Sequence, residues 1–427
     1  MNSKRQAFVL FLTVFVDMMG FSVIFPIFPQ TLRFFWEKGN DPILSIFQAY
    51  VLSILPSSEN PYFIVLFGGI TSSVYAILQF FFAPFWGKIS DHLGRKPILL
   101  FTSLGNFLGY LVWFFADSFT LFVLSRVITG CMGGNISVAS AAMADVTSEQ
   151  DRTKGMGFIG AGIGLGFLFG PPLGGLLSGY NLLNHFPNLA NWKVTIFSSS
   201  ALLSVFVALI NLVVVFLFFD ETLTQKIKSK IQHPILNLKD STIQELPLLC
   251  AIYFFFTLGF SGFEFGINFF FDQVLHFSPR EIGYSFVYMG SIVIFVQGGV
   301  IRKISGKIPE KKIALFGVFT LLFGFSLLSF SKSTILTMLC LSFLSVGSAL
   351  LNPSISALTS LFSPQSEQGK NLGILRGFGS LARAFSPTLF SLVYFQFGSN
   401  SSFVLALLIF ILVLSLLLKI PERKNVF

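Results

Sequence analysis

Long apolar runs separated by short polar breaks set the character of this chain from end to end. The runs measure roughly 18 to 26 residues, enough for a helix to cross about 30 Å of hydrocarbon. About twelve can be drawn, near 8–30, 63–86, 97–116, 119–144, 155–180, 194–219, 246–271, 282–301, 313–330, 334–362, 372–397 and 401–420. They are apolar almost throughout and lack the alternation of a barrel strand. The pattern therefore predicts an all-α integral membrane protein with 12 transmembrane helices.

Composition agrees with the pattern. Hydrophobic residues make up 53% of the 427 and charged residues only 11%, with 57 Phe and a mean hydropathy of +0.78; a water-soluble domain carries about 25% charged residues. The excess of basic residues follows topology. With the N-terminus inside, 20 Lys and Arg fall on the inner side, and 5 fall outside (Arg33, Lys38, Lys193, Arg280, Lys332). This bias predicts that both termini are cytoplasmic and leaves no basic patch for nucleic acid. Cys131, Cys250 and Cys340 lie inside apolar runs, so neither a disulfide framework nor a metal site is implied. The first run is too long for a signal-peptide core and lacks a small-residue cleavage site, so it reads as a retained first span.

The most charged stretch, 220–245, divides the chain into a first six-helix half, 1–219, and a second, 246–427. It opens with Asp220-Glu221-Thr222-Leu223 and continues through Lys226, Lys228, Lys230, His233, Lys239 and Asp240. Weak repetition supports the division. Gly20-Phe21-Ser22 in span 1 returns as Gly259-Phe260-Ser261 in span 7, and Lys88-Ile89-Ser90 after span 2 returns as Lys303-Ile304-Ser305 after span 8. The offsets imply that the first half carries about 24 extra residues between spans 1 and 2, where a long outer loop, 32–62, is expected. Its apolar core, 43–55, is too short to span and predicts an amphipathic helix in the outer interface.

Polar groups inside the runs are the candidates for chemistry. Asp17 lies about nine residues into span 1, near the bilayer centre, where a carboxylate costs roughly 2.5–3.5 kcal/mol. Either it loads and releases protons as a cavity alternates, or it belongs to a fixed ion pair that orders helix packing. Arg126, in span 4, is its expected partner; a contact made and broken during transport would switch the carboxylate between proton release and capture. Glu264, in the outer third of span 7, reads as a second coupling acid or as a side chain snorkelling outward. Arg383, mid-way along span 11, needs a partner, which an anionic substrate or a buried acid would supply. Gln79, Asn106, Asn135, Asn268, Gln297 and Asn352 are uncharged polar residues of the spans, with Gln79 and Asn135 as candidates for a substrate cavity.

Three motifs tie these residues to a known family. Gly87-Lys88-Ile89-Ser90-Asp91-His92-Leu93-Gly94-Arg95-Lys96 has the form G-x-x-x-D-x-x-G-R-K and resembles the signature loop between helices 2 and 3 of the major facilitator superfamily. Gly166-Phe167-Leu168-Phe169-Gly170-Pro171-Pro172-Leu173-Gly174-Gly175 matches the G-x-x-x-G-P-x-x-G-G pattern of its drug:proton antiporter branch. Arg126-Val127-Ile128-Thr129-Gly130 is similar to that superfamily's R-x-x-x-G motif. The outer loop, Leu66-Phe67-Gly68-Gly69 and Ala144-Asp145-Val146-Thr147 are similar to tetracycline-resistance proteins and tetracycline-transporter-like organic anion carriers. The resemblance implies two six-helix halves that rock about a central substrate site. It also implies a gating latch built from Gly87, Asp91, Gly94, Arg95 and Asp145, with Asp91 facing the N-terminal end of helix 11 and Arg95 pairing with Asp145. Gly306 stands where Asp91 would repeat in the second half. Gly166, Gly170, Pro171, Gly174 and Gly175 would permit close approach and a bend where the halves meet.

The expected function is secondary active transport, as a proton-coupled antiporter that exports small amphipathic or anionic organic compounds. A proton-coupled metabolite importer or a lysophospholipid flippase of the same fold is the alternative. No cofactor is expected beyond a proton gradient. The expected partners are a small-molecule substrate, protons and lipid, the expected state is a monomer, and the expected place is the inner membrane if the source is bacterial. An enzyme is not indicated, because His92, His185, His233 and His276 lie in loops without metal spacing and no nucleophile elbow appears.

Overall fold

The computed structural model describes residues 3–54, 62–148, 151–223, 235, 236, 238, 243–304, 306–364 and 367–421. Their regular structure is helical, with no strand among the described residues. In order the helices are α1 Ser3–Ser22, α2 Phe28–Lys38, α3 Pro42–Ile54, α4 Phe63–Leu93, α5 Arg95–Phe114, α6 Phe119–Cys131, α7 Asn135–Val146, α8 Arg152–Ser178, α9 Leu182–His185, α10 Ser198–Phe218, α11 Leu246–Gln273, α12 Pro279–Phe295, α13 Arg302–Ile304, α14 Glu310–Leu328, α15 Thr334–Phe362, α16 Gln368–Phe397 and α17 Ser399–Leu418. Eleven helical stretches among the described residues are long and apolar enough to cross a membrane. The twelfth expected span, α16, has 30 residues but carries Lys370, Arg376 and Arg383. Lys226, Lys228, Lys230, Lys239 and Ser305 lie outside the described residues.

Two compact units emerge, Met1–His233 with Phe277–Tyr284, and Pro234–His276 with Ser285–Phe427. In the first, α1 packs on α8 through a column of small residues. A Cβ placed on Gly162 would meet the Phe11 carbonyl at 2.9 Å, and one on Gly166 the Phe15 carbonyl at 2.6 Å. One on Gly170 would meet the Met19 carbonyl at 2.7 Å, and one on Gly174 would run into the Val23 carbonyl. The partners advance together in fours, so α1 and α8 run parallel in register. Side chains are missing where the backbones meet, which is how helices associate where water gives no hydrophobic drive. Ser22 adds hydrogen bonds from Oγ to the Met18 carbonyl at 2.9 Å and the Gly166 carbonyl at 3.3 Å. In the second unit α11 packs on α16 and α17, and Gly262 leaves room for the Phe390 ring.

The first span differs from the predicted one. The chain breaks after Ser22 into a single 3₁₀ turn, Phe25–Ile27, with Pro26 inside it, and resumes as α2 with Pro29 in its first turn. Proline interrupts the ladder of the first helix and suits the start of the next. Helix thus runs on to Lys38, so the outer connection begins later than residue 32. The fourth span is also split. Gly133 and Gly134 separate α6 from α7, and the Cys131 carbonyl at the break accepts a hydrogen bond from Trp86 Nε1 at 2.6 Å. That break places Asn135 at the first turn of α7.

The connection between the first two spans contains the predicted helix, α3. Ile46 and Tyr50 are exposed, while Leu44 is buried. Asp41 fixes it in place. Its Oδ1 accepts from the backbone N–H groups of Ile43 and Leu44, both at 3.0 Å, and from Thr120 Oγ1 at 2.7 Å; its Oδ2 accepts from Thr120 N–H at 2.9 Å. One carboxylate therefore caps α3 and clamps it to the start of α6. Burial pushes the Asp41 carboxyl up, but the hydrogen bonds outweigh it and hold the group below the usual aspartate range.

Asp41→Ala should lower the stability of the purified protein by about 1–2 kcal/mol and expose α3 to protease. The folded-state value is depressed, so the stabilisation is present above the ordinary aspartate value of about 4 and is lost as pH falls through the lower folded value. Equal stability of the variant and the parent at neutral pH would remove the clamp from the account.

Candidate functional site

Asp17 is buried in the first unit, 8% exposed, and held by amides rather than by a cation. Asn106 Nδ2 donates to its Oδ1 at 2.6 Å and Asn135 Nδ2 donates to the same oxygen at 3.1 Å. Thr102 Oγ1 donates to Asn135 Oδ1 at 2.5 Å, which orients that amide. Oδ2 receives no hydrogen bond from the described residues. This division matters chemically. A proton can sit on Oδ2 while Oδ1 keeps both amide donors, so the site holds the acid and the carboxylate with one set of contacts. Asn135, a candidate for the substrate cavity, is fully buried against Asp17. Gln79 donates from Nε2 to the Tyr75 hydroxyl at 3.3 Å, and Tyr75 stacks on Phe21.

Arg126 does not pair with Asp17. Its guanidinium carbon stands 4.7 Å from the Trp113 ring centre and 5.5 Å from that of Phe122, and its Nε donates to Ser125 Oγ at 3.3 Å. Tyr110 lies between the two charges in sequence and in space. Asn106, Tyr110 and Trp113 share one face of α5 at steps of four and three, and the Tyr110 ring rests on Gly20, one turn beyond Asp17 on α1. A stripe along α5 thus separates the acid from the guanidinium by about two turns.

The signature loop forms a charged cluster at the joint of α4 and α5. Arg95 binds Asp145 through Nε at 2.8 Å and Asp91 through Nη1 at 2.5 Å, and Nη1 also donates to Ser90 Oγ at 2.7 Å. Gly94 holds φ at +112°, open to glycine and strained for other residues. A Cβ there would also strike the Glu221 carboxylate, and one on Gly87 would meet Ser137 Oγ at 2.6 Å. Glu221 was noted in the sequence only in the opening of the charged stretch 220–245 and was given no capping role. It caps α5, accepting from Arg95 N–H at 2.8 Å and Lys96 N–H at 3.1 Å, where the positive end of the helix favours an anion. Its signal in sequence was an acid directly after an apolar run. Gly166, Gly170 and Gly174 face α1, whereas a Cβ on Gly175 would meet the Pro279 carbonyl at 2.6 Å and Gly283 Cα at 2.7 Å. Pro171 and Pro172 lie inside α8, which continues through them.

In the second unit, Glu264 on α11 lies within electrostatic reach of Arg383 on α16. Asn268 Nδ2 donates to the Glu264 carbonyl at 2.6 Å, and Ser386 Oγ joins the helices by donating to the Leu258 carbonyl at 2.7 Å. No group of three or more potential metal ligands occurs among the described residues.

Family comparison fits this architecture. The model of the Major Facilitator Superfamily matches residues 10–387 and 300–427. The chain belongs to the major facilitator superfamily. It is 29% identical to mouse major facilitator superfamily domain-containing protein 10 over 450 aligned positions, covering 99% of this chain and 94% of the relative. It is 26% identical to the class B tetracycline resistance protein of Escherichia coli, covering 92% and 89%. The crystal structure of the human organic anion transporter MFSD10 (TETRAN) superimposes with a TM-score of 0.77 at 27% identity, covering 98% of this chain and 100% of that one. A D-xylose-proton symporter shares the fold, with a TM-score of 0.74 at 16% identity, covering 98% of each chain. Like other members of the superfamily, the protein is an integral, multi-pass membrane transporter of small molecules.

Arg95→Gln should leave Asp91 and Asp145 facing each other without their cation and lower the unfolding temperature. Adding Asp145→Asn should recover part of that loss, with a coupling of about 1–2 kcal/mol in a double-mutant cycle. Strict additivity would mean that the cluster is not a cooperative unit.

Proposed function

We propose that this protein is a proton-coupled antiporter that exports small amphipathic or anionic organic compounds by alternating access, with Asp17 as its proton-carrying group. The observation that supports this most is the asymmetric setting of Asp17, whose Oδ1 takes both amide hydrogen bonds while Oδ2 is left for the proton. A buried carboxylate in an apolar span is costly unless it is neutralised or paired, and here no cation touches it. Its protonation therefore alters the charge of the unit's interior by a full unit. The tetracycline resistance proteins and the organic anion transporter among its relatives favour export and an amphipathic or anionic cargo. Glu264 lies within electrostatic reach of Arg383, and its protonation would change the field in the other unit.

The test is accumulation in liposomes that contain the purified protein and carry an imposed pH gradient. Asp17→Asn keeps the shape and offers the amides a carbonyl oxygen, but it cannot carry the proton. It should abolish gradient-driven accumulation while downhill exchange of the same compound persists. Undiminished uphill transport by the variant would exclude Asp17 as the coupling group.

A further inference from the structure

Arg126 is the one strongly buried guanidinium of the first unit that has no acid beside it among the described residues. Arg95, buried as deeply, is neutralised by Asp91 and Asp145. Arg126 is 5% exposed, its Nη2 has no hydrogen-bond partner, and its only side-chain donor bond runs to Ser125. Asp17 does not pair with it; its Oδ1 is held by Asn106 and Asn135. The aromatic faces of Trp113 and Phe122 stabilise the cation but cannot satisfy Nη2, and an unneutralised buried charge is among the most costly arrangements in a protein. The surroundings also select a ligand. Aromatic rings flank the guanidinium, so a group seated on Nη2 is stripped of water and rests against π faces.

We propose that Arg126 is an anion-binding site that takes a singly charged group, supplied either by the carboxylate of an aromatic cargo or by a halide. Nη2 donates to the anion in a charge-assisted hydrogen bond. The site lies two helical turns from Asp17 along α5, close enough for the proton and the anion to sense each other through a poorly screened interior. The cargo arm rests on the reading of an amphipathic or anionic substrate given above. The halide arm does not.

The experiment uses the purified full-length chain in detergent. It compares binding of biphenyl-4-carboxylate with that of its neutral counterpart biphenyl-4-carboxamide, and compares thermal stability in chloride with that in isethionate at equal ionic strength. The parent should prefer the carboxylate by about tenfold or more, or gain stability in chloride, and these two arms identify the source of the anion. Arg126→Gln should erase whichever preference the parent shows, while its ligand-free form unfolds at the same temperature as the parent or higher, because a buried uncompensated charge has been removed. Arg126→Lys keeps the charge and should keep part of the preference, which guards against a glutamine variant that fails to fold. An Arg126→Gln protein that retains the full carboxylate preference and chloride response overturns the proposal. If Arg383→Gln abolishes the preference and Arg126→Gln does not, the anchor lies on α16; this proposal fails while the anionic-cargo reading stands. A parent that shows neither preference removes both.

Discussion

Charge that cannot be hydrated is the constraint on which the interior of this transporter depends. Each buried ionisable group has been given a different solution. Arg95 is ringed by two carboxylates and a hydroxyl. Asp17 is solvated by two amides on one oxygen. Arg126 is laid between aromatic faces. The first arrangement is electrically closed and suits a structural joint. The other two are open, because neither carries its counter-charge, and an open site responds to what arrives. Structural and responsive charges can be told apart in this way without reference to where they fall along the chain.

The local backbone breaks serve these sites. Gly133 and Gly134 interrupt the fourth span, Trp86 takes up the freed carbonyl of Cys131, and the restarted helix begins with the residue that reaches Asp17. A continuous helix would place Asn135 elsewhere around its axis. Pro26 has a comparable effect in the first span, turning the chain so that α2 and α3 can lie over the start of α6, where Asp41 fastens them. The outer aromatic cluster of Trp36, Phe47, Phe67 and Phe119 packs beneath this cover. The clamp for this cover and the buried Arg126 thus share one helix, α6, which carries Thr120 at its start and Arg126 two turns later.

Much of this was legible in the sequence, for physical reasons. Apolar runs of spanning length dictate helices because lipid offers backbone groups no partner, and the basic loops and glycine motifs pointed to the superfamily that the comparisons establish. The Arg95–Asp145 contact follows from the signature motif and is present at 2.8 Å. The partner of Asp17 was not legible. A buried acid in span 1 and a motif arginine in span 4 suggested an ion pair, yet two neutral asparagines hold the acid, and neutral amides have no long-range signature that picks them out among several. The capping role of Glu221 was not legible, because an acid at a helix terminus looks like any interfacial charge until the helix it caps, 126 residues earlier, is seen to begin there.

The glycine column between α1 and α8 has a mechanical consequence. The two helices run parallel with each glycine set against a carbonyl, at residues 162 and 11, 166 and 15, 170 and 19, and 174 and 23. Sliding one helix along the other by a single residue would drive side chains into backbone, and the next permitted seat is four residues away, about 6 Å along the axis. Such a contact behaves as a ratchet with widely spaced teeth. Thermal motion at this seam is confined to one seat, so α1 carries Asp17 as part of a rigid beam with α8, and displacement of the acid requires the whole beam to tilt.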